Sequence, residues 1–326
     1  MKKLVSGFLT FGLIGLQQLA AQFAPPAGQS GSTAIHSDSS VFVAWASTGT
    51  LQRGYVKVDE PELGFASYGL PEDAFGKADL FVVSLGDGGS IVLEFEHAII
   101  NGPGADFAVF ENSFSDTFLE LALVEVSSDG IQFAMFPPVS NTPTTPQVDG
   151  FGTLDTQLVH NLAGKYRAMY GTPFNLDDID AEIVDLNNIR FVRITDVVGS
   201  IDARYGTFDA NANIINDPWP TPFPSSGFDL DAIGVIYDRR YLTIQEADLQ
   251  QLKVFPNPFT ENLNFRIESL NEASYEVQLF ELSGKKVFER IGDGLAPLNL
   301  GFLSKGMYVI QIRNGNEVVQ KLITKS

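Results

Sequence analysis

Leu119-Glu120-Leu121-Ala122-Leu123-Val124-Glu125-Val126-Ser127, running into Ser128-Asp129-Gly130, decides how the rest of this 326-residue sequence reads. The run is apolar at most positions, as expected of a central strand covered on both faces. Ser127-Ser128-Asp129-Gly130 then supplies turn residues, and Ile131–Phe136 follows as a further extended run. Upstream, Gly86-Asp87-Gly88-Gly89 feeds Ile91–Phe95, and Asn101-Gly102-Pro103-Gly104 feeds Asp106–Asn112. Downstream, extended runs return at Ile189–Thr195 and Phe228–Tyr237. Helical spacing occurs at Leu158, Leu162, Tyr166 and Met169, but Gly164 falls inside it, so any helix there is short or broken. Short strands, frequent turns and no βαβ rhythm give an all-β, jelly-roll-like β-sandwich.

Two long insertions interrupt that pattern. Pro137–Leu186 begins rich in proline and threonine, and Gly199–Gly227 is dense in Asp, Asn and Pro. Long loops without periodicity in a compact domain tend to be functional or organised by a metal.

The segments Val124–Phe133, Ile189–Ile194 and Leu230–Val235 resemble the galactose-binding-like, discoidin-type jelly rolls, in which an S-x-D-G turn and an R-x-V-R-I strand occupy similar places. The chain departs from that pattern by its insertions and by lacking a terminal cysteine pair.

The last quarter reads differently. Val254-Phe255-Pro256-Asn257-Pro258-Phe259 cannot continue a helix or a central strand. Beyond it, Leu263, Phe265 and Ile267 alternate with Asn264, Arg266 and Glu268, and Tyr275, Val277 and Leu279 repeat the alternation. Gly306–Arg313 and Glu317–Ile323 pair through Asn314-Gly315, a hairpin dipeptide. A small antiparallel, immunoglobulin-like sandwich is expected. Pro256-Asn257-Pro258, Ser283-Gly284-Lys285, Lys305-Gly306-Met307-Tyr308 and the basic end at Lys321 and Lys325 resemble the type A C-terminal sorting domain of the type IX secretion system. The resemblance implies Pro256, Asn257, Pro258, Gly284, Gly306 and Tyr308 as sorting-motif positions. It also implies an outer-membrane translocon as partner, removal of the tail, and release or surface attachment of the rest.

The other end agrees. Met1-Lys2-Lys3 is a basic start, Leu4–Leu16 an apolar core, and Leu19-Ala20-Ala21 a small-residue site. Those are the parts of a secretory signal peptide, too short for the roughly 20 apolar residues of a membrane span. The expected organisation is a signal at 1–21, a body at 22–240, a linker at 241–251 and a sorting domain at 252–326.

Composition narrows the chemistry. The chain holds no cysteine, so disulfides and thiol nucleophiles are excluded. Gln22–Gln251 carries 32 acidic and 10 basic residues, a net charge of −22. Nucleic acid and anionic lipid are therefore poor partners for the body, whereas divalent cations and neutral glycans are permitted. His36, His97 and His160 lack zinc-type spacing, and neither a Gly-x-Ser-x-Gly elbow nor a phosphate loop occurs.

Carboxylates remain. Asp196, Asp202, Asp209, Asp229 and Asp231 lie in or beside the acidic loop and could supply oxygen ligands to a structural calcium ion, although turn capping explains the same residues. Glu111 with Glu120 or Glu125 could form a glycosidase pair, which needs two carboxyls about 5–5.5 Å or about 6.5–9.5 Å apart. Glu125 could equally pair with Arg190 or Arg193. Trp219, Phe223, Tyr205, Tyr166 and Tyr170 fall in loops, where exposed rings could stack on a sugar, with Trp219, Tyr205, Tyr166 and Tyr170 as the candidate ligand-binding rings. Three functions stay open: a non-catalytic binder of glycan or another extracellular ligand, a glycoside hydrolase, and a structural or adhesive surface component.

Overall fold

A computed structural model of the chain describes residues 23–240, 252–267, 274–281, 285–293, 296–314 and 317–326. The signal segment 1–21, the linker 241–251 and the sorting-motif residue Gly284 lie outside the described residues. Two compact units result, Met1–Asp238 and Arg239–Ser326.

The body is built from β1 (Ile35–His36), β2 (Ala44–Trp45), β3 (Thr48–Gln52), β4 (Val83–Ser84), β5 (Ser90–Ile99), β6 (Phe107–Glu111), β7 (Ala122–Ser127), β8 (Ala134–Met135), β9 (Val139–Ser140), β10 (Val159–His160), β11 (Tyr170–Phe174), β12 (Ile189–Asp196) and β13 (Asp229–Val235). One sheet runs β1-β11-β6-β13-β2, with β4 also on β13; the other runs β3-β5-β12-β7-β8; β9 and β10 form a separate ribbon. All pairings are antiparallel.

The core lies between the two main sheets. Ile91, Leu93, Phe95, Val124, Val126, Val192 and Ile194 meet Phe107, Val109, Phe174, Leu230, Ile233 and Val235. Phe107, Phe136 and Phe174 touch one another with ring centroids 5.0–5.7 Å apart. Burying a ring fully contributes about 1.5–3 kcal/mol, so this triad is a large share of the body's cohesion. Strands β6 and β13 are buried at every position, because Phe42, Trp45, Ala78, Phe110 and Ala232 cover their far side.

The deciding stretch is a strand over six of its nine residues. Leu119 and Leu121 instead leave the sheet and join Leu154, Val159, Leu162, Val197 and Ile215 in a second, smaller core beneath the insertions. Of Ile131–Phe136 only Ala134–Met135 is strand: the Asp129 carboxylate accepts from the backbone N–H of Ile131 and Gln132 and holds the chain back before it. The spacing at 158–169 yields turns rather than a helix. Gly164 has φ +77°, and a Cβ there would lie 1.8 Å from the Glu120 carbonyl oxygen.

Side chains from both insertions bind them together. Buried Asn216 accepts from Gln147 Nε2 and the Val148 N–H, and donates to the carbonyls of Pro143 and Pro146. Gln147 also donates to the Gly199 carbonyl.

The C-terminal unit has a three-stranded sheet of β14 (Leu252–Phe255), β15 (Asn262–Ile267) and β18 (Leu298–Asn299). Its four-stranded sheet contains β16 (Ser274–Glu281), β17 (Lys286–Asp293), β19 (Gly306–Asn314) and β20 (Glu317–Lys325). Leu263, Phe265, Val277 and Leu279 are buried as their alternation requires, and β19 pairs with β20 from Asn314↔Glu317 onward. Asn257 of the proline-bracketed motif accepts from the Thr324 N–H, and Tyr308 Oη donates to the Ser304 carbonyl. Among the described residues no helix is long and apolar enough to cross a membrane.

Candidate functional site at the loop end

Antiparallel pairing sends β6 out, and β13 back in, at one end of the body. The same holds for β12 and β7. Glu111 ends β6, Asp196 ends β12, Asp229 starts β13, and Glu120 stands two residues before β7. Backbone bonds knit these ends together. Asp196 accepts from the N–H groups of Gly88 and Phe228, and Asp217, in the acidic loop, accepts from the Leu121 N–H. Gly227, at φ +72°, lets that loop pass; a Cβ there would stand 2.7 Å from Asp196 Oδ1.

Five carboxyl groups are therefore buried beside one another. Burial is the first cause that pushes Glu111, Glu120 and Asp217 well above the usual carboxylate range, Asp196 to about 8 and Asp229 to about 6. For Glu120 like charges come next, from Asp229, Glu111, Asp217 and Asp196, and for Asp196 the nearest such cause is Asp87. Arg53 opposes them at Asp229, while donating to the carbonyls of Tyr68, Gly69 and Ser84. Asp229 also accepts from the Ser84 hydroxyl. Two oxygens, Glu111 Oε1 and Asp217 Oδ1, are buried with no hydrogen-bond partner.

The loops leaving these strand ends carry aromatic rings outward. Phe114 stacks on Phe118 at 4.4 Å, Phe118 meets Phe151 at 6.2 Å, and Phe151 meets Phe223 at 5.9 Å. Phe114, Phe151 and Phe223 are 74, 69 and 44% exposed. The same loops line a hollow of about 440 Å³ through Asp116, Thr117, Thr142, Thr153, Asp155 and Thr156, with apolar neighbours; none of the four rings is among its lining residues. Thr142 Oγ1 and Thr156 Oγ1 are buried there without a partner. The Leu154 N–H to Thr117 carbonyl bond joins the two walls. Arg167 pairs with Asp116 at 2.5 Å and fixes the rim.

The sequence-derived candidates fall as follows. Glu111 and Glu120 do meet, but both are buried, so neither presents a carboxyl to a substrate. Glu125 faces Arg193 in the β7–β12 register and holds it through two bonds of 2.5–2.6 Å, over the Phe133 ring. It belongs to an ion pair.

Of the calcium candidates, Asp196 and Asp229 share the acid cluster. Asp202 instead pairs with exposed Arg204, Asp209 closes its own turn onto Asn211 and Asn213, and Asp231 caps the N–H groups of Asp79 and Leu80. Among the described residues no three acidic or histidine side chains already form a ligating group.

The four candidate rings do not make a platform, and among the described residues no ring contact joins any two of them. Tyr166 is buried, its hydroxyl bonded to Thr33 at 2.8 Å. Tyr170 packs on His36 and Arg167, and Tyr205 lies beside Arg204. Trp219 donates Nε1–H to buried Asp87, with Lys57 over its ring. Of the phenylalanine row, the sequence reading singled out Phe223 alone. The signal for the others was there: Phe114, Phe118 and Phe151 stand among Ser, Thr, Asp, Gly and Pro rather than in alternating strands.

Comparison with known proteins assigns the tail. Residues 253–325 match the family described as the secretion system C-terminal sorting domain. The C-terminal unit is thus a type IX sorting domain that engages that secretion machinery, and the protein is secreted or carried on the outer-membrane surface. No curated protein matches the chain.

Among solved structures, a β-glucuronidase from Ruminococcus gnavus bound to uronic deoxynojirimycin is similar over 87% of this chain and 45% of its own, at 12% identity and a TM-score of 0.22. The BSP domain of a biofilm-associated protein is similar over 86% and 52%, at 10% identity and a TM-score of 0.19. The Lactobacillus rhamnosus β-glucuronidase gives 93% and 46%, 14% identity and a TM-score of 0.19. The chain spans about half the length of these proteins or less, and likeness at this level bears on no function.

Proposed function

We propose that the body is a non-catalytic module that binds a neutral glycan at its loop end, delivered to the cell exterior by its sorting tail. One observation carries this: the loops that bear an exposed row of phenylalanine rings also line a hollow rich in hydroxyls. Monomeric proteins rarely expose joined apolar patches without a partner, and ring faces stack on the C–H faces of sugars while hydroxyls and carboxylates take the sugar hydroxyls. The hollow's volume falls within the usual range for ligand pockets, about 300–1,000 Å³. The net negative body disfavours acidic polymers, which selects uncharged polysaccharides. Burial of Glu111 and Glu120 weighs against the hydrolase reading, because a glycosidase acid has to touch the glycosidic oxygen.

The test is affinity electrophoresis or calorimetry of the protein against a panel of neutral polysaccharides. Replacing Phe118 and Phe151 together by Ala is expected to weaken binding about thirtyfold, from roughly 1 kcal/mol per stacked ring. Trp219→Phe, which keeps the ring but loses the bond to Asp87, should leave affinity within about twofold. No binding to any member of the panel, or binding indifferent to loss of both phenylalanines, would sink the reading.

A further inference from the structure

We propose that a second hollow, walled by β10, β11 and the segment around Phe23, binds a small hydroxylated monocarboxylate whose charged end is held by Lys165 and His160. The hollow has a volume of about 300 Å³ and shares no lining residue with the one at the loop end. Local geometry brings its walls together. His160 ends β10, and the chain turns at Asn161, φ +51°, and again at Gly164, φ +77°. Lys165 thereby returns to β10, where its Nζ donates to the Val159 carbonyl at 2.8 Å. Phe23 closes one side: its N–H donates to the Gln157 carbonyl, and its ring stacks on His160 at 4.8 Å.

The case for an anion rests on Lys165. The residue is 5% exposed, yet among the described residues its Nζ makes no ion pair and only the one hydrogen bond to Val159. An ammonium carries three donors, and buried charges are nearly always paired. The Phe23 and Tyr166 rings, with centroids 5.7 and 5.8 Å from Nζ, offset part of the charge without neutralising it. The acid that acts on Lys165, Asp155, is not in the lining of this hollow. Burial lowers the ammonium to about 8, so it stays mostly charged at pH 7. A buried cation in the wall of a hollow, with two donors unspent, calls for an anion there.

The rest of the lining selects the kind of anion. Burial first, then Lys165, lowers His160 below its ordinary 6.5, so at pH 7 it offers one N–H and no second positive charge. Asp178, the exposed acid of the lining, opposes a second negative charge on the ligand. One cation opposed by one carboxylate suits a monoanion, whereas a phosphate group carries about −1.5 to −2 at pH 7. A carboxylate takes a charge-assisted bond from Nζ and leaves an oxygen for the imidazole. Thr33, Asn161 and Asn175 supply hydroxyl and amide groups for alcohols on the ligand, and Asn175 spends its Oδ1 on the Asp177 N–H, which leaves its amide donors. Ala24 and Pro173 meet the C–H surface.

The experiment titrates the full chain with sodium gluconate by calorimetry at pH 7. Sorbitol, the same carbon chain without the carboxylate, and inorganic phosphate serve as comparisons. Saturable uptake of one gluconate per chain is expected, with Kd no weaker than about 1 mM, and at least tenfold weaker uptake of sorbitol and of phosphate. Lys165→Met should weaken gluconate at least tenfold and raise the Tm of the ligand-free protein, because an unpaired buried cation is removed. A lysine that served only the fold would lower it. His160→Phe, which keeps the stack on Phe23, should weaken gluconate about fivefold, and it decides the matter if Lys165→Met does not fold. Arg204→Gln removes an exposed positive charge elsewhere and should leave affinity within twofold. No saturable uptake of gluconate, equal uptake of sorbitol or phosphate, affinity untouched by both substitutions in the hollow, or a lower Tm for Lys165→Met would each overturn the assignment.

Discussion

Asp106 and Asp231 show how single buried acids set the protein's response to pH. Asp106 accepts from the N–H groups of Gly102 and Leu176, and Asp231 from those of Asp79 and Leu80. Burial outweighs those bonds and raises each to about 6 from an ordinary 3.8. A group raised in the folded state favours folding when protonated. Its contribution is complete below pH 3.8 and lost as pH rises through about 6. Stability should therefore increase as pH falls from 7 to 5, by an amount on the order of 2 kcal/mol. Surface pairs such as Asp202 with Arg204 do not oppose this, because Asp202 is lowered to about 2 and titrates outside that window. Lys165, lowered to about 8 by burial, contributes above pH 10.5 and has lost its contribution by pH 7. Melting scans in EGTA should give a Tm several degrees higher at pH 5 than at pH 7, and less of a gain for Asp106→Asn. A flat or falling Tm over that range contradicts this reading of the buried acids.

Turns and loops are the elements on which the site depends. Replacing Gly164 by Ala would drive a Cβ into the Glu120 carbonyl and impose φ +77° on a side chain. A loss of about 3 kcal/mol or more is expected, read as a lower midpoint in urea with unchanged m-value. A midpoint unmoved by the substitution would show that the 158–169 segment does not pack as described. Asn216→Ala removes four hydrogen bonds at once and leaves the Pro143 and Pro146 carbonyls without that donor. The expected loss is about 2–4 kcal/mol. Limited proteolysis should then cut the 137–158 and 199–227 loops together rather than singly, since Asn216 holds backbone of the first from within the second. Cleavage confined to one loop contradicts that coupling.

The same scale shows what was legible beforehand. Apolar runs bounded by turn residues marked β5, β6, β12 and β13, because both signals are local in sequence. Leu119 and Leu121 were indistinguishable from strand residues, since their apolar partners, Leu154, Val197 and Ile215, are remote in sequence. Tyr166 read as a loop ring for the same reason: its hydroxyl's partner, Thr33, lies 133 residues away. Glu111 and Glu120 could be named as a pair from neighbouring strands, but their burial depends on the acidic loop folding over them.

For the whole molecule, the chemistry and the delivery reside in separate units. The body carries the buried acids and the ring row, and the tail carries a clamp of Asn257 on the final strand. Deleting 252–326 should leave the precursor in the periplasm with its body folded; export unchanged by that deletion contradicts the tail's role.

The central claim concerns the body, and hydrogen exchange tests it most directly. With a saturating neutral polysaccharide that the panel identifies, slowed exchange is expected in the backbone of 112–118, 142–158 and 219–226, the loops around the ring row. Protection confined to the β3–β5 edge of the opposite sheet, or none in those loops, would contradict it.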